Sequence, residues 1–398
     1  MKEKPDRYPM PLIPAFKDYL WGGERLISEF GKKTDVRPVA ESWELSCHSD
    51  GLSVVAAGAY EGRTLAEVLD ENPDWIKPGA AVMAGASGST GIAGSSVGSG
   101  SACSSVGSGS ACSSCGSGSA GLSGCSGASG FPILIKLIDA KQNLSLQVHP
   151  DDAYAAAHEN GVGKNEAWYV IDCEPGAKLI LGMKENMPRD AIKRLIENGT
   201  ILDYVNEKPV NPGDCYLVPA GLIHAIGRGV LIAEVQQSSN ITYRVFDYGR
   251  LGADGKPRQL HVERASQVIN ASLKAVNSAT RDAASAKCDT ADTTRDATSA
   301  TRKTDDANSC FGVCPGGGGY RLTQLADWEY FKLARVDIDG EAIFDCTGAF
   351  HALLVIDGDL EIVHSEATAA LKGACVFIPA GLGRYAVRGN GRMLLATI

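Results

Sequence analysis

The sequence of 398 residues lacks the features of a membrane protein or a nucleic-acid-binding protein. It has no stretch of about 18 consecutive apolar residues, the minimum for a transmembrane helix. The formal net charge is −9 and no long basic run is present, which argues against nucleic acid and acidic membranes as partners. The N-terminal sequence MKEKPDRYPMPLIPAF carries charges and prolines where a signal peptide is apolar. We therefore expect a soluble, cytoplasmic protein.

A disulfide framework is not expected either, although the chain has 12 cysteines. Seven of them lie in or beside two polar tracts: Cys103, Cys112, Cys115, Cys125, Cys288, Cys310 and Cys314. The other five are scattered singly through segments that are predicted to fold. Without an export signal, free thiols are the expected state. The CFGVC pair has metal-ligand spacing, but no second pair accompanies it, so a cysteine metal site is not favoured.

The two polar tracts have little side chain to bury. Residues 84–130 are nearly all Gly, Ser, Ala and Cys, with the nine-residue segment SSVGSGSAC repeated. Residues 276–319 reuse Thr, Asp, Arg and Ala and end in PGGGG. Such composition predicts a flexible insertion and a low-complexity linker, respectively.

Most of the remaining chain consists of short apolar or β-branched runs separated by Gly, Pro, Asp and Asn, a pattern typical of β-strands. These runs are FPILIKLIDA, LSLQVHP, AWYVIDC, AKLILGM, CYLVPA, VLIAEVQQ, TYRVFDY, HALLVIDG, DLEIV, ACVFIPA and RMLLATI. Two helices are predicted, one at residues 187–199 that ends at Gly199 and a shorter one at residues 64–73. The predicted fold class is mainly β, with a small helical segment and two low-complexity insertions.

An internal repeat refines this prediction. The spacing G-x5-P-x-G-x2-[H/R] runs from Gly213 to His224 and again from Gly373 to Arg384. Its Pro-x-Gly predicts a tight turn, after which His224 or Arg384 should point into a barrel. The spacing resembles the second motif of cupins, which are jelly-roll barrels that often carry a metal. Two copies therefore predict two cupin-type barrels, and only the copy with His224 keeps a metal-binding side chain.

The repeat and the two tracts together predict a five-part organisation. The predicted parts are an N-terminal segment contributing to the first cupin domain (1–83), the Gly/Ser-rich insertion (84–130), a metal-binding, catalytic cupin domain (131–275), the linker (276–319) and a second, metal-free cupin domain (320–398).

Polar residues within the first predicted barrel form a candidate metal site. Gln147 and His149 point the same way from one strand, because side chains alternate along a strand. Glu166 opens another predicted strand, and His224 follows the Pro-x-Gly turn of the first repeat copy. Two imidazoles, a carboxylate and an amide oxygen suit Zn²⁺ and leave room for water or substrate. The alternative for each inward histidine is a hydrogen-bonded core residue without a metal.

Four motifs extend the similarity to a family. LSLQVHPDD, GKNEAWYV, VPAGLIHAIG and VLIAEVQQSSNITYRVFDYGR resemble, in this order, segments of type I mannose-6-phosphate isomerases of the short bacterial form. The resemblance covers nearly everything outside the two polar tracts. It implies a zinc ion in one cupin domain and the interconversion of mannose 6-phosphate and fructose 6-phosphate through a cis-enediol.

The resemblance also implies roles for individual residues. Gln147, His149, Glu166 and His224 correspond to the zinc ligands. The implied catalytic residues are Arg244, Lys164 and Glu234, and the implied substrate-binding residues are Ser145, Lys136 and Arg244. One position departs from the family pattern, because Asn240 replaces an aspartate four residues before Arg244.

Two other functions remain open from the sequence. A cupin with two histidines and one carboxylate could instead be a different metal-dependent enzyme, such as a non-haem iron oxygenase or an epimerase. Cupin barrels also serve as binding modules, so a non-catalytic sugar-phosphate-binding protein is the alternative from a different class. A small sugar phosphate is the expected partner in the preferred interpretation.

Overall fold

A computed structural model of the chain describes residues 5–78, 130–252, 255–278, 310–314 and 318–398. The predicted Gly/Ser-rich insertion, apart from Gly130, and most of the predicted linker lie outside these residues.

The described residues form twenty strands, five helices and two short 3₁₀ helices. The first fourteen strands are β1 (Met10–Ile13), β2 (Ala15–Lys17), β3 (Glu41–Leu45), β4 (Val54–Val55), β5 (Ile133–Ala140), β6 (Leu146–Val148), β7 (Glu166–Cys173), β8 (Lys178–Met183), β9 (Val205–Pro209), β10 (Cys215–Val218), β11 (His224–Ile226), β12 (Val230–Gln237), β13 (Tyr243–Phe246) and β14 (Val276–Asn277). The other six are β15 (Tyr320–Asp327), β16 (Lys332–Cys346), β17 (His351–Val363), β18 (Ala367–Ala370), β19 (Cys375–Ile378) and β20 (Gly383–Thr397). The helices are α1 (Arg25–Ser28), α2 (Leu65–Glu71), α3 (Asp152–His158), α4 (Arg189–Glu197) and α5 (Val262–Val268), and the 3₁₀ helices are Pro73–Trp75 and Ile201–Tyr204. The prediction of a mainly β chain is therefore confirmed.

The first barrel is built from two antiparallel sheets. A seven-stranded sheet has the order β14-β10-β7-β12-β5-β3-β2, and a five-stranded sheet has the order β13-β6-β11-β8-β9. Apolar side chains from both sheets, including Ile138 and Val170 from the first and Leu179 and Ile226 from the second, pack into one core. The polar candidate site lies on the same strands as this core.

The second barrel is an eight-stranded sheet with the order β15-β16-β20-β17-β19-β1-β4, in which β18 also pairs with β17. Its strands β1 and β4 come from the N-terminal segment, whereas β2 and β3 join the sheet of the first barrel beside β5. The segment at residues 1–83, predicted to contribute to the first cupin domain, thus supplies strands to both sheets. A large shared core of apolar residues lies between the barrels.

The two predicted helices are present as α4 and α2. Helix α4 is followed by Gly199 with φ of 70°, a conformation that glycine adopts without the strain of a Cβ atom. Helix α2 begins with a capping box, in which Thr64 and Glu67 satisfy each other's backbone N–H groups. None of the described helices has the length and apolar character needed to cross a membrane. All seven described cysteines are free thiols.

The second copy of the repeat differs from the prediction. His224 is buried inside the first barrel, but Arg384 is exposed, so the expectation that it points into the second barrel is wrong. The strand begins at Gly383, one position earlier than in the first copy, with φ of 83° at this glycine, and β20 presents Tyr385 inward. The Tyr385 hydroxyl lies 2.8 Å from Nδ1 of His351, also buried there.

Candidate metal centre and active site

The pairing of three strands brings the predicted ligands together. Gln147 on β6 lies directly opposite His224 on β11 and Arg244 on β13. Directly opposite residues of antiparallel strands share a face of the sheet, so these three side chains form a transverse row. His149 follows two residues after Gln147 and points to the same side.

The nitrogen and oxygen atoms at the end of this row are spaced as ligands of one ion would be. Nε2 of His149 is 3.1 Å from Nε2 of His224 and 3.4 Å from Oε1 of Glu166. Oε2 of Glu166 is 3.6 Å from Nε2 of His224. Ligand atoms bonded at about 2.1 Å to one tetrahedral ion lie about 3.4 Å apart. These three residues form a group of buried side chains able to hold a metal.

Gln147 borders the same atoms, since its Nε2 lies 3.5 Å from Nε2 of His224. The oxygen and nitrogen of a side-chain amide exchange places by a half-turn of the terminal bond. Such a turn would direct the oxygen of Gln147 toward the imidazoles. Gln147 therefore fits the site as a fourth, weaker oxygen ligand.

In both imidazoles the ring proton is on Nδ1, which leaves Nε2 unprotonated and facing the site. Nδ1 of His149 lies 2.8 Å from the carbonyl of Ile241, and Nδ1 of His224 lies 2.8 Å from the carbonyl of Leu222. Because a carbonyl only accepts, each Nδ1 carries the proton and donates it. Burial lowers the pKa of His149 well below its ordinary value and the pKa of His224 to about 4. Both rings are therefore neutral at pH 7, with two Nε2 lone pairs facing each other.

Glu166 adds negative charge to this cluster of lone pairs. It is fully buried, and neither carboxylate oxygen accepts a well-aligned hydrogen bond from the described residues. Nζ of Lys164 is 2.8 Å from Oε1 of Glu166 and 3.3 Å from Nε2 of His149. Lys164 supplies one positive charge at Oε1, but Oε2 of Glu166 and the two imidazole lone pairs still face one another without a donor among the described residues, so this donor set fits a divalent metal ion.

A second polar row crosses the seven-stranded sheet. Trp43, Lys136, Glu234 and Trp168 are direct cross-strand partners on β3, β5, β12 and β7. Nζ of Lys136 is 3.0 Å from Oε1 of Glu234 and 3.6 Å from Oε2 of Glu41. The indole of Trp168 donates to Glu234 at 2.9 Å, and that of Trp43 donates to Glu41 at 2.7 Å. Burial favours the neutral amine, but the two carboxylates outweigh it and raise the pKa of Lys136.

The two polar groups share the interior of the first barrel. Trp168 is two residues after Glu166 on β7, so both side chains lie on one face. The ring of Trp168 meets the ring of His224 edge to face, with centroids 5.2 Å apart. The barrel therefore holds a candidate metal centre on one side and a carboxylate–ammonium row on the other.

The remaining predicted residues lie at the edge of this interior. Arg244 donates from Nη1 to the carbonyl of Gln259 at 3.0 Å. The pKa of Arg244 is lowered, mainly by burial and to a smaller extent by the positive charge of Arg258. Among the described residues it has no carboxylate within 4.0 Å. Ser145 is buried directly before β6. Asn240 is exposed and donates to Oδ2 of Asp50 at 2.7 Å.

Sequence reasoning missed Glu41, which shares Lys136 with Glu234, and gave Trp43 and Trp168 no role in the site. A signal for Glu41 was present in ESWEL, where Glu41 and Trp43 alternate with the buried Ser42 on a short strand. The same alternation identified Gln147 and His149. The sequence did not show that ESWEL lies near the site, because this N-terminal strand reaches the site only through long-range pairing with β5.

Comparisons with known proteins give a consistent result. The model of a family described as "Mannose-6-phosphate isomerase, cupin domain" matches residues 321–398. A putative mannose-6-phosphate isomerase, YvyI, of Bacillus subtilis (strain 168) is 30% identical over 392 residues, covering 98% of this chain and 99% of that protein. The mannose-6-phosphate isomerase of Streptococcus mutans is 35% identical over 261 residues, covering 66% of this chain and 67% of the relative.

Solved structures agree with the sequence relatives. The crystal structure of the mannose 6-phosphate isomerase from Bacillus subtilis superposes with a TM-score of 0.70 at 28% identity, over 98% of this chain and 99% of that one. A zinc-bound mannose 6-phosphate isomerase shares the fold, with a TM-score of 0.62 at 13% identity over 98% of this chain and 99% of that one.

Proposed function

The chain is an enzyme of the mannose-6-phosphate isomerase family, and on that premise we propose that it interconverts mannose 6-phosphate and fructose 6-phosphate inside the first barrel. The observation that carries the proposal is the pair of facing Nε2 atoms, 3.1 Å apart, beside the buried carboxylate of Glu166. The same barrel interior holds a second carboxylate, Glu234, which is not one of the proposed metal ligands. A metal site next to a separate acid–base group is what an aldose–ketose isomerisation needs.

We propose that one Zn²⁺ is the cofactor and that Gln147, His149, Glu166 and His224 hold it. The mixed nitrogen and oxygen set suits zinc, and both histidines have their outer nitrogens fixed by backbone carbonyls. When bound, the ion would withdraw charge from the reacting oxygens of the sugar. Its site lies beside Lys164, whose ammonium adds a second positive charge there.

The protein's own groups would move the proton between C1 and C2 of the sugar through a cis-enediol. Glu234 is the proposed base, because its carboxylate is held by Trp168 and Lys136 and does not belong to the metal set. Lys164 forms an ion pair with Glu166, a position that suits its side chain to stabilise negative charge on a sugar oxygen. Lys136 and Ser145 are the proposed hydroxyl-binding residues.

Arg244 is the proposed contact for the phosphate or for the enediolate. It lies opposite Gln147 in the strand register, and its neighbours Arg250 and Arg258 are both engaged by Asp247. A guanidinium without its own carboxylate is suited to a bidentate contact with an anionic ligand.

The five-part organisation remains part of this proposal, with residues 131–275 as the catalytic cupin domain and 320–398 as the second, metal-free one. We also propose a cytoplasmic location, where sugar phosphates are metabolised.

The test is to incubate the zinc-loaded protein with fructose 6-phosphate in deuterated water. We expect mannose 6-phosphate to form, deuterium to enter at C2, and both to disappear after treatment with a chelator. The variant Glu166→Gln should bind zinc weakly and lack activity. Zinc and sugar-phosphate binding without deuterium exchange would contradict the proposal and support the non-catalytic binding protein instead.

A further inference from the structure

A turn of the N-terminal segment reaches the strand that supports the metal centre. Residues 48–51 lie within the connection between β3 and β4, and Oδ2 of Asp50 accepts a hydrogen bond from Nδ2 of Asn240 at 2.7 Å. The two residues are 190 positions apart in the chain. Asn240 lies just before β13, so this contact links the N-terminal segment to the first barrel at the rim of the site.

The peptide next to Asn240 orients a proposed metal ligand. The carbonyl of Ile241 accepts the Nδ1 proton of His149 at 2.8 Å, which sets the direction of that ring's Nε2. On its inner side the segment is supported by Ser239, whose hydroxyl donates to the carbonyl of Val162 at 2.9 Å. On its outer side Asn240 and Asp50 provide the support.

The turn that carries Asp50 is itself held in place. The backbone N–H of Asp50 donates to Nδ1 of His48 at 3.1 Å, and Lys17 donates to the carbonyl of Asp50. A Cβ atom on Gly51 would come within 2.9 Å of the Trp43 ring, so the turn packs closely on the strand that carries the carboxylate row. The backbone of Asp50 is thus held in place, so its side chain, 52% exposed, projects from a fixed turn toward Asn240.

We propose that Asp50 and Asn240 are a positioning pair for the metal centre. The carboxylate of Asp50 holds the peptide at residues 240–241, and the carbonyl of Ile241 then keeps His149 aimed at Glu166 and His224. The pair requires one donor and one acceptor, so an aspartate at position 240 opposite Asp50 would oppose two carboxylates at hydrogen-bond distance. The inference rests on the proposed metal centre but concerns residues outside the ligand set.

The experiment measures zinc affinity by competition with a chromophoric chelator, alongside kcat and KM for the isomerisation. Loss of a group that orients a metal ligand typically weakens metal binding by about 10- to 100-fold. For Asn240→Asp, which acts through one peptide, we expect the lower end of that range, about tenfold weaker binding. We expect kcat to fall with it and KM to change little, because neither residue is proposed to contact the sugar.

The exchanged pair distinguishes positioning from general destabilisation. Asp50→Asn combined with Asn240→Asp restores one donor and one acceptor, and zinc affinity should return to within about threefold of the original. The matched control is Asn390→Asp in the second barrel, where Asn390 donates to Oδ1 of Asp339 at 3.1 Å in an exposed pair. This control should leave zinc affinity and kcat unchanged.

Two results would overturn the positioning pair: unchanged zinc affinity in Asn240→Asp, or an exchanged pair that binds zinc as weakly as Asn240→Asp. Zinc binding that responds as expected in a protein without isomerase activity would contradict the proposed function alone. An original protein that binds no zinc would overturn both.

Discussion

Glu234 and Glu166 are both buried carboxylates in one barrel, but their surroundings differ. Glu166 faces two bare imidazole nitrogens and the ammonium of Lys164. Oε2 of Glu234 accepts a hydrogen bond from the indole of Trp168, Oε1 lies 3.0 Å from Nζ of Lys136, and the residue lies outside the cluster of metal-binding atoms. This division of environments is the residue-scale basis for assigning one carboxylate to the metal and the other to proton transfer.

Glu234→Gln should therefore separate catalysis from metal binding. The amide keeps the size of the side chain but cannot accept the proton, and positioned general bases contribute about 10²- to 10⁴-fold to rate. We expect kcat to fall within that range while zinc content, measured by mass spectrometry, stays at one ion per chain. Trp168→Phe is the matched control, because it removes one donor and keeps the carboxylate, and its loss should be smaller. Activity of Glu234→Gln within a few-fold of the original would exclude Glu234 as the base.

His351 makes a different residue-scale prediction, in the second barrel. Burial lowers its pKa to about 4, from an ordinary value of 6.5. Between these values the unfolded chain binds the proton and the folded chain does not, so stability is complete above pH 6.5 and falls toward pH 4. The expected loss by pH 4 is about 3 kcal/mol. Urea unfolding from pH 4.5 to 7 should show a shallower decline in His351→Gln, and equal slopes would contradict the assignment.

At the scale of elements, alternation and turn residues predicted much of the fold. The run VLIAEVQQ is β12 without any change of boundary, and the predicted helix at residues 187–199 contains α4. HALLVIDG and DLEIV were separate runs in the sequence, yet they form one strand, β17, because Gly358 at the end of the first run continues the pairing with β20. Local patterns identify strand-forming residues but do not show where a long strand continues through a glycine.

Long-range pairing was beyond sequence reasoning. Nothing in MPLI indicates that β1 pairs with β19, since any half-buried strand could fill that edge. The cluster of Gln147, His149, Glu166 and His224 was predictable because three motifs, LSLQVHPDD, GKNEAWYV and VPAGLIHAIG, supplied its residues. Glu41 was not, since its role depends on β3 lying beside β5.

A buried ion pair joins the N-terminal segment to both barrels and gives an element-scale prediction. Nζ of Lys32, in the loop after α1, lies 2.6 Å from the carboxylate of Glu44 on β3 and donates to the carbonyl of Gly373 before β19 at 2.7 Å. Lys32→Met leaves Glu44 fully buried without its cation, a change that typically costs about 3–5 kcal/mol. Urea unfolding should show this loss, and adding Glu44→Gln should recover part of it. A double variant as unstable as Lys32→Met would contradict the explanation.

At the scale of the whole molecule, the N-terminal segment makes the two barrels depend on each other. It supplies β2 and β3 to one sheet and β1 and β4 to the other. The core between the barrels combines its own residues Met10 and Leu45 with Ile135 of the first barrel and Phe377 of the second. Removing either barrel would expose this core, so we expect both to unfold in one cooperative transition.

Zinc binding tests that cooperativity, because the proposed ligands all belong to the first barrel. A ligand that binds only the folded state stabilises it by about 4 kcal/mol at a free concentration of 1,000 times Kd. If the barrels unfold together, zinc should raise the midpoint of the entire transition, including the fluorescence of Trp328, which lies in the second barrel's part of the shared core. The double variant His149→Ala, His224→Ala should show no response to zinc. A midpoint that rises for probes in the first barrel but not for Trp328 would mean that the shared core does not couple the two units.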